Sequence, residues 1–141
     1  MDYREELDGS LLIRLYPGEE IIQSLTGLSK TSGIVGATFF GIGALDFAEL
    51  GYYYPDRKQY DKRKFEGQHE LLSLSGNIGF APDGEIAVHA HVVISDNNFI
   101  CHGGHLFQGR VSVVAEIRLF PCGDIKRVPD PSGLNLWKLN D

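Results

Sequence analysis

The sequence predicts an α/β fold of the α+β type, with one domain in which β-strands dominate and a single helix packs near the N-terminus. Glycine is frequent, with 17 among 141 residues, and most glycines separate short apolar runs. That pattern is typical of strands joined by tight turns. The clearest helical spacing of apolar residues is confined to one segment. A chain of this length forms one domain, because division usually begins beyond about 250–300 residues.

The N-terminal elements are a strand followed by this helix. Residues 10–16 form a short apolar run that Pro17 and Gly18 close, as expected for a strand. Residues 19–30 carry a helical apolar stripe made of Ile21, Ile22, Leu25 and Leu28. Glu19 and Glu20 open this segment, and their negative charges would stabilise the helix by interacting with the positive end of its dipole. Gly33 is expected to end the helix.

The rest of the chain is predicted to be rich in β-structure. Strands are expected at residues 34–42, 45–54, 59–65, 70–80, 86–95 and 111–120. The first two would be joined by a turn at Gly41-Ile42-Gly43, since two glycines without a third that opens a helix do not predict a dinucleotide-binding loop. Further turns are expected at Pro55-Asp56, Asp83-Gly84 and 96–98. The strand at 59–65 is polar enough to lie at a sheet edge.

The C-terminal segment is predicted to be extended. Pro129, Pro131 and Gly133 interrupt regular structure there, and Leu136 with Trp137 is expected to anchor the segment. The predicted organisation is an N-terminal extension at 1–9, one domain at 10–120 and a tail at 121–141.

The charge balance limits the partners that the chain is expected to bind. Nineteen acidic residues against 13 basic ones give a formal net charge of −6, which disfavours binding of the whole surface to DNA or to an anionic membrane. Basic residues cluster at 57–64. A solvated edge strand explains this cluster better than a nucleic-acid contact does. In the alternative of a nucleic-acid contact, Lys126 and Arg127 would add to the basic surface.

The sequence also predicts a soluble, cytoplasmic protein. Cys101 and Cys122 have neither a disulfide framework nor zinc-binding spacing, which indicates a reducing compartment. The first residues lack the layout of a signal peptide. No apolar run approaches the roughly 18 residues of a membrane helix.

The histidines are the candidate site residues. His89 and His91 are two apart in an apolar strand, so both side chains point to the face opposite the core. If the preceding strand pairs apolar face to apolar face, Ser73, Ser75 and Asn77 share the histidine face. The same register would put His69 on that face and Glu70 on the core side.

His105 completes a potential metal site. It follows Gly103-Gly104, where an abrupt backbone turn would bring it back to the other two histidines. Three imidazoles with an open fourth position suit zinc or another borderline divalent metal. The two strand histidines alone would indicate only a half-exposed pair, and His105 makes the metal site the better interpretation. His102 is expected to pack or to face solvent, and neither cysteine is a candidate nucleophile.

These residues belong to an ordered set of motifs. They are Gly41–Ala44 (GIGA), Gly51–Tyr53 (GYY), Leu71–Ile78 (LLSLSGNI), His89–His91 and Gly103–Leu106 (GGHL). Over residues 10–120 the sequence resembles the plants-and-prokaryotes conserved (PPC) domain, which in plants follows an AT-hook DNA-binding motif.

The resemblance implies a curved, mostly antiparallel sheet with a packed helix, and assembly into a homotrimer. It also implies three histidine ligands for a divalent metal, which by motif are His89, His91 and His105. The sequence lacks the Arg-Gly-Arg-Pro core of an AT-hook. It reads Gly67-Gln68-His69-Glu70-Leu71-Leu72 where plant members carry a partner-binding Gly-Arg-Phe-Glu-Ile-Leu segment, so that partner role is not implied.

Two functions remain open at this stage. The first is a trimeric, metal-binding PPC-domain protein with a DNA-associated or regulatory role. The second is a metal-dependent enzyme acting on a small oxygen-rich substrate, by fold analogy with acetolactate decarboxylase. In the enzyme, Glu70 or a residue of a neighbouring subunit would act as the catalytic acid or base.

Overall fold

A computed structural model describes residues 1–139 as one antiparallel sheet, one helix and a small C-terminal hairpin. The elements are β1 (Asp2–Glu5), β2 (Leu11–Leu15), α1 (Ile21–Ser32), β3 (Ala37–Tyr54), β4 (Gln59–Phe80), β5 (Ile86–Ser95), β6 (Cys101–Pro121), β7 (Arg127–Pro129) and β8 (Asn135–Trp137). Six strands pair in the order β1-β2-β6-β3-β4-β5, and β5 also pairs with β6. This second pairing curls β3, β4, β5 and β6 into a closed ring, which confirms the predicted curved sheet.

Helix α1 packs against β5 and β6, and its ends follow ordinary capping chemistry. Its buried face contains Ile21, Leu25 and Leu28, as the spacing predicted. The Glu20 side chain caps the N-terminus by accepting from the backbone N–H of Gln23. Gly33 ends the helix with a φ of 74°, a left-handed conformation that favours glycine.

Strand β3 corrects one prediction. The segments expected as two strands, 34–42 and 45–54, form one strand, so the turn expected at Gly41-Ile42-Gly43 is wrong. The strand has a register shift between Gly41 and Gly43, which bends it without ending it. Glycine is required at 43 because a Cβ there would collide with the backbone carbonyl of Val114 in β6.

Strand β4 likewise joins two segments that were predicted as separate strands, 59–65 and 70–80. A register shift against β3 lies between the Leu45 and Phe47 positions, opposite the Gly67 region. In the described chain, residues 59–66 pair with β3 alone. The prediction of a polar edge strand is therefore confirmed for this half of β4.

Strand β6 begins at Cys101, ten residues before the predicted start at 111. Gly103 and Gly104 lie inside this strand, so the abrupt turn expected there is wrong. Glycine fits at 104 because a Cβ would lie 2.7 Å from the backbone carbonyl oxygen of Gly51. The close approach of neighbouring strands explains the glycine pair.

Both ends of the chain contribute strands. Residues 2–5 form β1, which pairs with β2 at the edge of the sheet. In the predicted tail, β7 pairs with β8, and residues 140 and 141 lie outside the described part. Leu136 and Trp137 are 44% and 46% exposed, so they do not anchor this segment as predicted. The backbone of Ile125, which accepts a hydrogen bond from Phe80, and the buried Arg127 hold it instead.

The hydrophobic core lies between α1 and the inner face of the curled sheet. Its largest fully buried side chains are Leu15, Ile21, Leu25, Leu28, Leu45, Leu71, Leu74, Ile78, Ile94, Leu106, Val111 and Leu119. Through residues 1–139, no helix has the length and apolar character needed to cross a membrane.

Candidate metal centre

The three predicted histidines meet on one face of the sheet. His89 and His91 project from β5 on the face opposite the buried Ala90 and Val92. His105 lies in β6 directly opposite His91 in the antiparallel register. One ring nitrogen from each histidine lies within 4.8 Å of the other two. The pairing of β5 with β6 therefore produces the cluster that the sequence attributed to a turn.

Polar side chains of β4 lie beside this cluster. Ser75 is the cross-strand partner of His91, and Asn77 is the partner of His89. The predicted sharing of one face by these residues is confirmed. Hydroxyl and amide groups in such positions orient imidazoles that bind a metal.

His69 and Glu70 do not join the histidine cluster. A register shift between Leu71 and Ser73 reverses the predicted faces, so His69 is buried and Glu70 is exposed. Glu70 pairs with Ser95 in β5 and with Ala44 in β3, five residues before Ser75. The catalytic role of Glu70 stays a prediction, and the geometry of one chain places it away from the cluster.

His102 also lies outside the cluster. Its ring packs against Phe65, with the ring centroids 4.8 Å apart. This agrees with the expectation that His102 packs against neighbouring side chains.

Burial in the cluster favours the neutral form of His89 and His105. Burial, together with the neighbouring His89 and His91, lowers the pKa of His105 to about 4. Burial, the positive charge of Arg127 and the neighbouring His91 lower the pKa of His89. Neutral imidazole is the form that binds metal, so the lowered pKa values of His89 and His105 favour these two as ligands at neutral pH.

One ring nitrogen of the cluster has no partner. Nδ1 of His105 is buried, and no group in residues 1–139 forms a hydrogen bond with it. A buried polar atom without a partner is destabilising unless something else satisfies it. Together with the neutral imidazoles, this nitrogen fits a metal ligand set.

Aromatic rings form one wall of the site. The ring centroids of Tyr60 and Phe107 lie 5.1 Å and 4.6 Å from that of His105. Burial raises the pKa of the Tyr60 hydroxyl. The Lys62 ammonium lies 3.7 Å from the centre of the Phe107 ring. The sequence predicted only general packing for Tyr60, because its closeness to His105 depends on how β4 and β6 flank β3.

Arg127 is a site residue that the sequence reasoning missed. Its side chain is 9% exposed and donates to the Asn77 side-chain oxygen and, at 3.1 Å, to the Asn135 carbonyl. The sequence grouped Arg127 with Lys126 as an added nucleic-acid contact, which its burial contradicts. No sequence signal identifies this role, because the path of the C-terminal segment decides it.

Two of the five basic residues at 57–64 are paired with carboxylates in the described chain. Arg57 lies 3.6 Å from Asp61, and Lys62 lies 3.6 Å from Glu49. The Arg57 guanidinium also stacks on Tyr54, 3.8 Å from the ring centre. These contacts support the interpretation of a solvated edge strand.

Comparison with known proteins gives a consistent result. A family model described as the Plants and Prokaryotes Conserved (PCC) domain matches residues 4–122. No curated protein gives a significant match.

Three solved structures show how closely the fold is shared. A plant- and prokaryote-conserved (PPC) protein from Pyrococcus horikoshii is 36% identical with a TM-score of 0.86, and the match covers 99% of this chain and 96% of that one. A metal-containing protein from Archaeoglobus fulgidus is 31% identical with a TM-score of 0.86, covering 98% and 99%. A candidate DNA-binding protein from Ralstonia eutropha JMP134 is 30% identical with a TM-score of 0.89, covering 98% and 96%.

Proposed function

Because this chain belongs to the Plants and Prokaryotes Conserved domain family, we propose that it is a homotrimeric metal-binding protein with a DNA-associated or regulatory role. The metal is a divalent ion, with zinc as the best match to three imidazoles, held by His89, His91 and His105. The buried, unpartnered Nδ1 of His105 is the observation that carries this proposal. The similar protein from Archaeoglobus fulgidus, described as metal-containing, supports it.

A bound ion of this type polarises a carbonyl oxygen or lowers the pKa of a bound water. The chain itself provides Ser75 and Asn77 beside the imidazoles and a wall of Tyr60 and Phe107.

Elemental analysis of the purified, zinc-reconstituted protein tests the metal site. We expect about one zinc ion per chain in the wild type, and none in the His89→Ala/His91→Ala variant, which lacks two ligands. His102→Ala is the matched control, since His102 packs on Phe65 outside the cluster. A wild type without metal, or unchanged occupancy in the double variant, would contradict the proposal.

The outer face of the sheet supports the trimer. Phe40, Ile42 and Val113 are 56%, 59% and 62% exposed on this face. A groove of about 690 Å³ begins beside Phe40 and Ile42 and extends to Leu12 and Tyr16. Charged residues, among them Arg14, Glu116 and Arg118, also line this groove. Exposed apolar side chains with charged neighbours are typical of interfaces between proteins. A second copy of the chain is the occupant that the family resemblance implies.

The DNA-associated role rests on likeness, and the charges limit it. The similar protein from Ralstonia eutropha is described as a candidate DNA-binding protein. In this chain, the net charge is −6, and Arg57 and Lys62 of the basic cluster are paired with carboxylates. An association with DNA through a partner protein therefore fits the chain better than direct contact.

An enzyme is the second candidate, and Arg127 is the observation that favours it. A buried cation beside a metal-binding face is typical of substrate sites. The catalytic acid or base would be Glu70 or a residue of a neighbouring subunit, and within one chain Glu70 lies outside the histidine cluster.

A further inference from the structure

Arg127 is buried without a counter-charge. Its side chain is 9% exposed, and its two hydrogen-bond acceptors, the side-chain oxygen of Asn77 and the carbonyl of Asn135, are both neutral. Within residues 1–139, no carboxylate lies within 4.0 Å of its guanidinium. A guanidinium has five N–H donors, and burial of an unpaired charge is strongly unfavourable. Such a group is stabilised when an anion binds it.

The position of Arg127 directs this charge towards the histidines. Asn77, whose side-chain oxygen accepts a hydrogen bond from Arg127, is the direct cross-strand partner of His89. The Cβ atoms of such partners lie about 4.5–5.5 Å apart. The guanidinium therefore borders the histidine face on the β4 side.

The other charges around the cluster do not neutralise Arg127. On the far side, Lys62 lies over the Phe107 ring beside His105, and Glu49 already pairs with Lys62 at 3.6 Å. The histidine group itself contains no carboxylate in the described chain. The face is therefore positively charged, and a divalent metal would add to this charge.

We infer that this face binds a small oxyanion, a carboxylate or a phosphate, with Arg127 as its charged anchor and the three-histidine centre beside it. Arginine holds both anions through paired N–H donors, and metal centres with open positions accept oxygen ligands. The inference rests on the proposed metal site and adds the class of ligand. Because Arg127 and Asn77 are present without metal, the anchor also exists in the metal-free chain.

Isothermal titration calorimetry with acetate and with inorganic phosphate tests this inference, using the full chain in metal-free and zinc-loaded forms. We expect at least one of the two anions to bind, and Arg127→Met to weaken that binding by about tenfold or more, since a lost charged hydrogen bond amounts to about 1.5–3 kcal/mol. Arg110→Met is the matched control, because Arg110 is exposed and paired with Asp46 at 2.7 Å. The anion that binds more tightly identifies the ligand as a carboxylate or a phosphate.

Several results would overturn the inference. If neither anion binds to the wild type in either form, the inference is overturned without any variant. Equal affinity of the wild type and Arg127→Met for the anion would also overturn it. If Arg127→Met does not fold, Arg127→Lys takes its place and should weaken binding, because it keeps the charge but loses the paired donors. Zinc titrations of the wild type separate the two proposals: zinc binding without anion binding removes only this inference, whereas Arg127-dependent anion binding without zinc removes only the metal site.

Discussion

The imidazole of His105 owes its chemistry to its surroundings. An isolated histidine titrates near 6.5, whereas burial and two neighbouring histidines lower the pKa of this one to about 4. The proton is thus excluded from a ring whose Nδ1 has no partner in the described chain. Burial therefore keeps this imidazole neutral and lowers the stability of the protein at acidic pH.

We predict that the metal-free protein loses stability as the pH falls from 6.5 to about 4. In this window the unfolded chain binds a proton at His105 that the folded chain does not, so the free energy of unfolding decreases with falling pH. Urea unfolding across the window, in wild type and His105→Gln, measures the effect. The variant should show a shallower decrease because its amide does not titrate.

His102→Gln is the control for this experiment, since His102 lies outside the cluster. Its profile should follow that of the wild type. Parallel profiles for wild type and His105→Gln would show that His105 does not carry the pH dependence.

At the scale of the elements, long strands bring the site together. β3 and β4 each combine two predicted strands, and β6 extends one predicted strand back through Gly103 and Gly104, because register shifts and glycines bend the strands without breaking the pairing. β6 is the decisive case. Its first residues pair with β5 and place His105 opposite His91, and its later residues pair with β3 and β2.

The glycine at 43 should therefore be intolerant of a side chain. We expect Gly43→Ala to lower the free energy of unfolding by about 1–3 kcal/mol, the usual cost of overpacking, because the added Cβ collides with the Val114 carbonyl. Gly27→Ala is the matched substitution in exposed helix, with open space around it, and should raise stability by about 0.5–1 kcal/mol. Chemical denaturation of both variants provides the comparison, and a neutral Gly43→Ala would refute the close approach of β3 and β6.

At the scale of the whole molecule, the closed part of the sheet leaves one apolar face outward. Phe40, Ile42 and Val113 lie on it while the opposite face builds the core. The histidine cluster lies at the pairing of β5 with β6, and Ser75, the cross-strand partner of His91, is also the partner of Phe40. The proposed interface and the proposed metal site therefore share one face of the sheet, two strands apart, and variants at Ile42 and at the histidines test them separately.

Light scattering coupled to size exclusion tests the assembly. We predict a wild-type mass of about three chains, and a smaller species for Ile42→Asp, because a buried unpaired carboxylate is unfavourable in an apolar interface. Phe99→Asp serves as the control, since Phe99 is 89% exposed in the turn after β5. A monomeric wild type, or a trimer that tolerates Ile42→Asp, would rule out this face as the trimer interface.

Direct DNA binding should be weak or absent. With a net charge of −6 and salt-bridged basic residues at 57 and 62, we expect no mobility shift of a random-sequence duplex, even at low salt. A shift that disappears with added salt and is reduced in a Lys58→Gln/Lys64→Gln variant would contradict this expectation. It would assign the edge of β4 to DNA contact.

Local patterns in the sequence were sufficient for the helix and for β5. The apolar stripe with its closing Gly33 located α1, and strict alternation located β5 and the face of His89 and His91. These patterns depend on neighbours within a few residues, and such neighbours are visible in any sequence. The family resemblance then implied the ligand set that contains His105.

The remaining features depend on contacts between distant segments. The register shift after Leu71 decided that His69 is buried and Glu70 exposed, and the pairing of β5 with β6 decided how His105 reaches His91. The approach of Val114 explains Gly43, which the sequence alone presented as a turn. Arg127 is the clearest example, because only the path of the C-terminal segment puts its charge beside Asn77. The sequence by itself determined which residues alternate, cap and pair locally, whereas the tertiary structure decided which of them share a site, because burial and charge act through space.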